Sequence, residues 1–192
     1  MEPPRPQPEQ PIPDDATKVF EGVIFSVHQW QQRLYNGQEV TFEALSRPDS
    51  VNILPITDDG KIILTLQEQP GMQPFIGALG GRVDPGETAL QAAERELFEE
   101  AGLRTSHLEL WDAMQPMEKM DWTIWTYIAK GCQKAGEQEV DGGEKISLIE
   151  VTFDEYLQII LQDNYRDTEI AFKLLRLSAL GRLDEVEQAW FN

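Results

Sequence analysis

What the chain lacks narrows its chemistry first. Cys132 is the only cysteine, so an intrachain disulfide and any cysteine-rich zinc centre are excluded. His28 and His107 are the only histidines, and with no second ligand at a productive spacing they read as strand-edge residues rather than metal ligands. No apolar run approaches the roughly 18–20 residues needed to cross a bilayer, and the basic-then-apolar pattern of an export signal is missing. A cytoplasmic protein is expected. Basic residues are scarce as well: 16 Lys and Arg stand against 34 Asp and Glu, a formal net charge of -18. That field repels nucleic-acid backbones and anionic membranes, so neither is expected as a partner, and a polyphosphate ligand would have to arrive with a metal ion.

What is present suits one well-cored domain of 192 residues, with no internal repeat or sharp boundary. Residues 1–15 hold six prolines among polar residues and no apolar periodicity, which reads as a disordered or loosely attached arm. Residues 16–47 read as a hairpin: a strand over 18–27, the turn pair Asn36-Gly37, and a return strand from Val40 to Leu45. Residues 48–192 form the main domain. There Val51–Ile56 and Lys61–Leu66 flank Asp58-Asp59-Gly60, a second hairpin whose nearly continuous apolar run suits central strands. Further strands are expected at 75–79, 108–113, 122–128 and 145–151, and helices at 153–162, 168–180 and 183–190. Helices on both faces of a mixed sheet give an α/β/α sandwich.

The most informative stretch is residues 81–103. Asp84-Pro85-Gly86 is turn chemistry, and the spacing predicts a helix over 88–101, with Glu87 and Thr88 at its start and Gly102 as its C-cap. Leu90, Ala93, Leu97 and Ala101 form an apolar stripe for packing on the sheet. Glu96, Glu99 and Glu100 lie at i, i+3 and i+4, so their carboxylates converge away from that stripe. By themselves they fit a solvated face, with Arg95 pairing to Glu99. They also fit a site for a hard divalent cation, since oxygen-only ligands select Mg²⁺ or Mn²⁺.

The whole stretch resembles the signature of the Nudix hydrolases. Gly81, Glu87, Arg95, Glu96, Glu99, Glu100 and Gly102 fill its fixed positions, and Leu97 and Leu103 its apolar ones. The resemblance implies the Nudix fold and Mg²⁺-dependent (or Mn²⁺-dependent) hydrolysis of a nucleoside diphosphate linked to another moiety. It implies Glu96, Glu99, Glu100 and the Gly80 carbonyl as metal ligands, and Glu87 with Arg95 as a salt bridge bracing the loop against the helix. The N-terminal hairpin, Arg47-Pro-Asp-Ser-Val51, the acidic loop Glu137–Glu144 and the closing helices look like the ADP-ribose pyrophosphatase branch. That likeness implies a homodimer with exchanged N-terminal strands, ADP-ribose or a nucleotide sugar as substrate, and a loop glutamate that completes the metal site or acts as base. Glu144 is the candidate, with Glu137, Glu139 and Asp141 competing. Arg47 and Arg82, with Gly81, are best placed to meet phosphate. The branch pattern is broken at Gln67-Glu68-Gln69, where an arginine is expected, at Gly77-Ala78-Leu79, and at Pro116, which is displaced. The competing reading is a Nudix-fold sensor that binds a nucleotide without cleaving it.

Overall fold

The computed structural model describes residues 4–139 and 142–192. The chain opens with β1 (Thr17–Glu21), β2 (Ser26–Arg33) and β3 (Glu39–Ser46), an antiparallel meander. The single strand expected over 18–27 is two strands, because the Gly22 N–H donates to the Phe25 carbonyl at 2.8 Å and closes a turn between them. At the next turn Gly37 takes φ +85°, and Asn36 Oδ1 accepts from the Gln38 N–H, the local chemistry that makes Asn-Gly a hairpin signal.

β4 (Ser50–Ile56) and β5 (Ile62–Glu68) leave the Asp-Gly turn as neighbours but pair only at Ile56 and Ile62. They then splay. β6 (Phe75–Gly77) pairs with β5 and β7 (Leu79–Arg82) with β4, so the expected hairpin is a fork. The single strand expected over 75–79 is divided at Ala78, whose N–H leaves the ladder to meet Asp167.

After α1 (Ala89–Ala101) come β8 (Leu103–Arg104), β9 (His107–Met114), β10 (Met120–Asp121), β11 (Ile124–Lys130), β12 (Gln133–Lys134) and β13 (Lys145–Val151). The chain closes with α2 (Phe153–Ile159), α3 (Thr168–Ala179) and α4 (Leu183–Phe191). The main sheet runs β13-β5-β4-β11-β9 with β6 and β7 in the fork, and it is mixed, since β4 and β11 are parallel. β10 joins the N-terminal meander alongside β3 and ties it to the main domain.

Strand alternation sends side chains to two cores. Val51, Ile53, Trp125 and Tyr127 face α1 together with Ala89, Ala93 and Leu97. Leu54, Ile62, Leu64 and Ile128 face the closing helices, where Trp190 is fully buried against Trp111, Phe153 and Tyr156. The result is the expected α/β/α sandwich. Among the described residues no helix is long and apolar enough to cross a membrane. The arm also touches the body: Arg5 forms ion pairs with Asp49 and Asp121, and the Pro6 carbonyl accepts from Gln115.

Candidate active site

α1 is fixed at both ends by its own sequence. Thr88 caps it, its hydroxyl accepting from the Gln91 N–H while Gln91 returns a bond to the Thr88 N–H. Glu87 lies just outside, where it accepts from the Asp84 N–H and grips Arg95. Gly102 ends the helix at φ +65°, donating to the Phe98 carbonyl at 2.7 Å, with the Gly136 carbonyl packed where a Cβ would stand. The buried apolar positions are Ala89, Ala92, Ala93, Leu97 and Ala101; Ala93, Leu97 and Ala101 are as the spacing suggests, whereas Leu90 is 37% exposed and Ala89 and Ala92 are buried in its stead.

The carboxylates occupy the side of α1 that faces the β7 loop. Glu100 is buried and accepts from the Gly80 N–H at 2.8 Å; burial, with the charges of Glu96, Glu144 and Asp167, pushes its carboxyl up to about 8. Glu96 is also raised, by burial first and then by Glu99 and Glu144, although Arg95 pulls the other way. Gly81 leaves room for it: a Cβ there would stand 2.2 Å from Glu96 Oε1. Arg95 is the local hub. Its Nε and Nη2 bind Glu87 at 2.9 and 3.1 Å, its Nη1 binds Glu96 at 2.7 Å and Glu99 at 2.9 Å, and its Nη2 also reaches the Arg82 carbonyl. The bracing pair with Glu87 and the surface-type pair with Glu99 therefore coexist on one guanidinium, which holds the Glu87 carboxyl below its usual range.

Among the described residues no three Asp, Glu, His or Cys side chains are already gathered round one point. The donor chemistry nevertheless fits a hard divalent ion: oxygen ligands only, and two carboxyls, Glu96 and Glu100, whose charged forms burial disfavours until a cation compensates them.

The fork between β4 and β5 opens beside these groups as a cleft of about 380 Å³. On one wall Arg47 lies over Trp122, 4.3 Å from the ring centroid, with its Nε buried and unbonded. Burial, then the charges of Arg166 and Arg82, lowers its pKa. Arg82 is exposed and paired with Asp84. Arg166, which sequence reasoning missed, lies over Phe75 at 4.6 Å in the same cleft. No local signal marks it, since it reaches the cleft only through the loop before α3. Arg47 has no ion-pair partner among the described residues, although the chain is strongly acidic, whereas the charge of Arg166 acts on Asp167 and Glu169 without a short ion pair.

Glu144 also faces the cleft and accepts from Gln69 Nε2 at 2.8 Å, so the glutamine standing where the branch has an arginine touches the candidate base. Of its competitors, Glu137 is 90% exposed and paired with Lys134, Glu139 lines the adjoining cleft, and Asp141 lies outside the described residues. A second carboxylate pair was not anticipated. Asp167 accepts from the Ala78 N–H at 2.6 Å and is pushed up to about 7 by burial and by Glu169, while Glu169 accepts from Asn52 Nδ2 at 2.7 Å. Of the aromatic residues that could stack on a base, Trp30, Trp125 and Tyr127 are buried in the protein, whereas Trp122 lines the cleft.

Comparison with known proteins agrees with this geometry. The NUDIX domain profile matches residues 46–173. The chain is 30% identical over 165 residues to the methanol dehydrogenase activator of Bacillus methanolicus, covering 83% of this chain and 89% of that one. It is 26% identical over 160 residues to the ADP-ribose pyrophosphatase of Bacillus subtilis (strain 168), covering 82% and 86% respectively. In fold it is similar to a crystal structure of an ADP compounds hydrolase, with a TM-score of 0.68 at 23% identity over 94% of this chain and 100% of that one. The capped acidic helix, the glycine loop it faces and a profile that spans most of the sandwich have one reading: the chain belongs to the Nudix hydrolase family.

Proposed function

We propose that the protein hydrolyses the diphosphate bond of a nucleoside diphosphate linked to another moiety, with ADP-ribose or a nucleotide sugar as the substrate class. The observation that carries this reading is the meeting of two adjoining clefts at Arg47 and Glu100: one holds the Glu96, Glu99 and Glu100 cluster, the other Arg166, and Arg47, which borders both, has no ion-pair partner among the described residues. A diphosphate needs cations around it, and these adjoining clefts bring guanidinium groups close to a cation-seeking acidic cluster. The name of one relative, the ADP-ribose pyrophosphatase of Bacillus subtilis, supports the substrate class.

Glu96, Glu99, Glu100 and the Gly80 carbonyl would hold Mg²⁺ or Mn²⁺. Bound there, the ion would offset phosphate charge and acidify a water molecule. Arg47, Arg82 and Arg166 orient the phosphates, with Arg166 supplying the cation that Gln69 does not. Glu144 takes the proton of the attacking water, the new P–O bond forms as the bridging P–O bond breaks, and two monophosphates leave. Glu87 and Arg95 act one step back, holding the glycine loop on the helix. A C₂ homodimer completes the reading, because Phe20 and Val23 on the N-terminal meander are exposed and want cover.

The test is incubation with Mg²⁺ and a panel of nucleoside diphosphate sugars, dinucleotides and nucleoside triphosphates, with the products resolved. Release of a nucleoside monophosphate and a phosphorylated partner is expected. Absence of turnover across the panel would overturn the reading.

A further inference from the structure

The wall of the cleft that carries Arg47 and Trp122 is braced from behind as well as by its own strands. Arg47 contributes a charge with a buried, unbonded Nε, and burial among like charges disfavours its ionised form. Something must hold its backbone and its aromatic platform in place. Two of the carboxylates found there, Asp49 and Asp121, lead to one residue outside the sandwich.

Arg5 grips Asp49 with two parallel bonds, Nε to Oδ2 and Nη2 to Oδ1, both 2.8 Å, and reaches Asp121 with Nη1 at 2.7 Å. Asp49 stands two residues after Arg47, and Asp121 immediately precedes Trp122. The Arg47 N–H donates to the Asp121 carbonyl at 3.2 Å, the Thr123 N–H to Asp49 Oδ1 at 2.9 Å, and Trp122 Nε1 to Ser50 Oγ at 3.0 Å. The next arm residue adds to this. Gln115 donates to the Pro6 carbonyl at 3.1 Å and accepts from the Trp122 N–H at 3.0 Å. Burial pulls Asp49 up, but Arg5, the Thr123 N–H and Trp125 outweigh it and keep the carboxylate ionised. A bidentate, charge-assisted bond of this kind fixes direction as well as distance.

We infer that Arg5 is a positioning residue for the substrate cleft: by bridging Asp49 and Asp121 it sets Arg47 and Trp122, and so makes the proline-rich arm part of the active site. The inference rests on the proposed reading that Arg47 meets substrate phosphate. Arg5 itself stays behind that wall. Its loss should leave the chemistry near Glu100 and Glu144 intact while loosening the grip on the diphosphate.

The experiment is a double-mutant cycle on the full chain with Arg5→Gln, Arg47→Ala and both together. The ligand is α,β-methylene-ADP with Mg²⁺, whose P–C–P bridge resists hydrolysis, and its affinity is read by calorimetry. Arg5→Gln should weaken binding about tenfold in the wild-type background but less than about twofold once Arg47 is gone, because residues acting through one another are not additive. On a substrate turned over by the wild type, the same variant should raise KM by a similar factor and leave kcat within about threefold. Asp121→Asn, which removes one of the two anchors without changing shape, gives a smaller loss of the same kind and serves if Arg5→Gln fails to fold. Equal losses in both backgrounds, or no loss in either, would overturn the inference. If no substrate is turned over, the proposed function fails, but the binding cycle still decides the role of Arg5.

Discussion

At the scale of single residues, environment separates carboxylates that composition cannot. Glu87 is exposed to one guanidinium and held acidic, whereas Asp167 is enclosed beside Glu169 and pushed up to about 7. For Asp167 the folded value exceeds the unfolded one, so between roughly pH 4 and pH 7 the native state binds a proton that the unfolded chain has lost, and stability falls as pH rises through that window. Asp167→Asn keeps an acceptor for the Ala78 N–H and removes this titration. Its melting temperature relative to wild type should therefore climb between pH 5 and pH 8, by on the order of 1–3 kcal/mol or roughly 3–10 °C. A difference that stays constant across that range would show that Asp167 does not titrate there. Glu144 makes a different kind of prediction, because it faces the cleft and accepts a hydrogen bond from Gln69. Glu144→Gln should lower kcat by roughly 10²–10⁴ with little change in Mg²⁺ affinity if it is the base. Partial rescue by higher Mg²⁺ would make it a ligand instead, and a kcat within a few-fold of wild type would exclude both roles.

At the scale of elements, α1 and its flanking loops were legible because their information is local. Thr88, Gly102 and the Glu96, Glu99, Glu100 spacing act within one helix, and the structure places each of them on the element expected. What was not legible depends on distant partners. The fork between β4 and β5 follows from β6 and β7 pairing into the gap, and nothing in the Asp-Gly turn announces it. Arg166 meets Arg47, and Arg5 meets Asp49, across separations that only the folded sheet closes. Leu90 fell outside the stripe because helical periodicity gives a face but not the angle at which the sheet is met. The same local logic yields a test of the loop. Gly81→Ala would drive a methyl group into Glu96, so either the glycine loop or the carboxylate must move. Activity should fall by about 10²-fold or more while the melting temperature drops only a few degrees, since the surrounding core is untouched. Near wild-type activity would mean that Glu96 can leave its position without consequence.

At the scale of the whole molecule, two features reach beyond the single chain. Val19, Phe20, Val23 and Ile24 leave an apolar strip exposed on β1 and its turn, and Ile24 borders the cleft that also contains Glu96 and Glu99. A second copy covering that strip would bury the apolar surface and close the mouth of the site at once. Sedimentation at micromolar concentration should give twice the monomer mass; a fully active monomer would contradict the dimer. On the proposed reading the net charge of -18 shapes the site as well, because a diphosphate substrate would approach a repelling surface and find Arg47, Arg82 and Arg166 as a local exception. The most direct measurement of the central claim compares wild type with Glu96→Gln and Glu100→Gln on whichever nucleoside diphosphate derivative the wild type cleaves, with Mg²⁺ titrated and then removed by a chelator. Turnover should vanish without the metal and fall by about 10²-fold or more in both folded variants, even at saturating Mg²⁺. Wild-type rates in both variants, or full activity in the chelator, would contradict it.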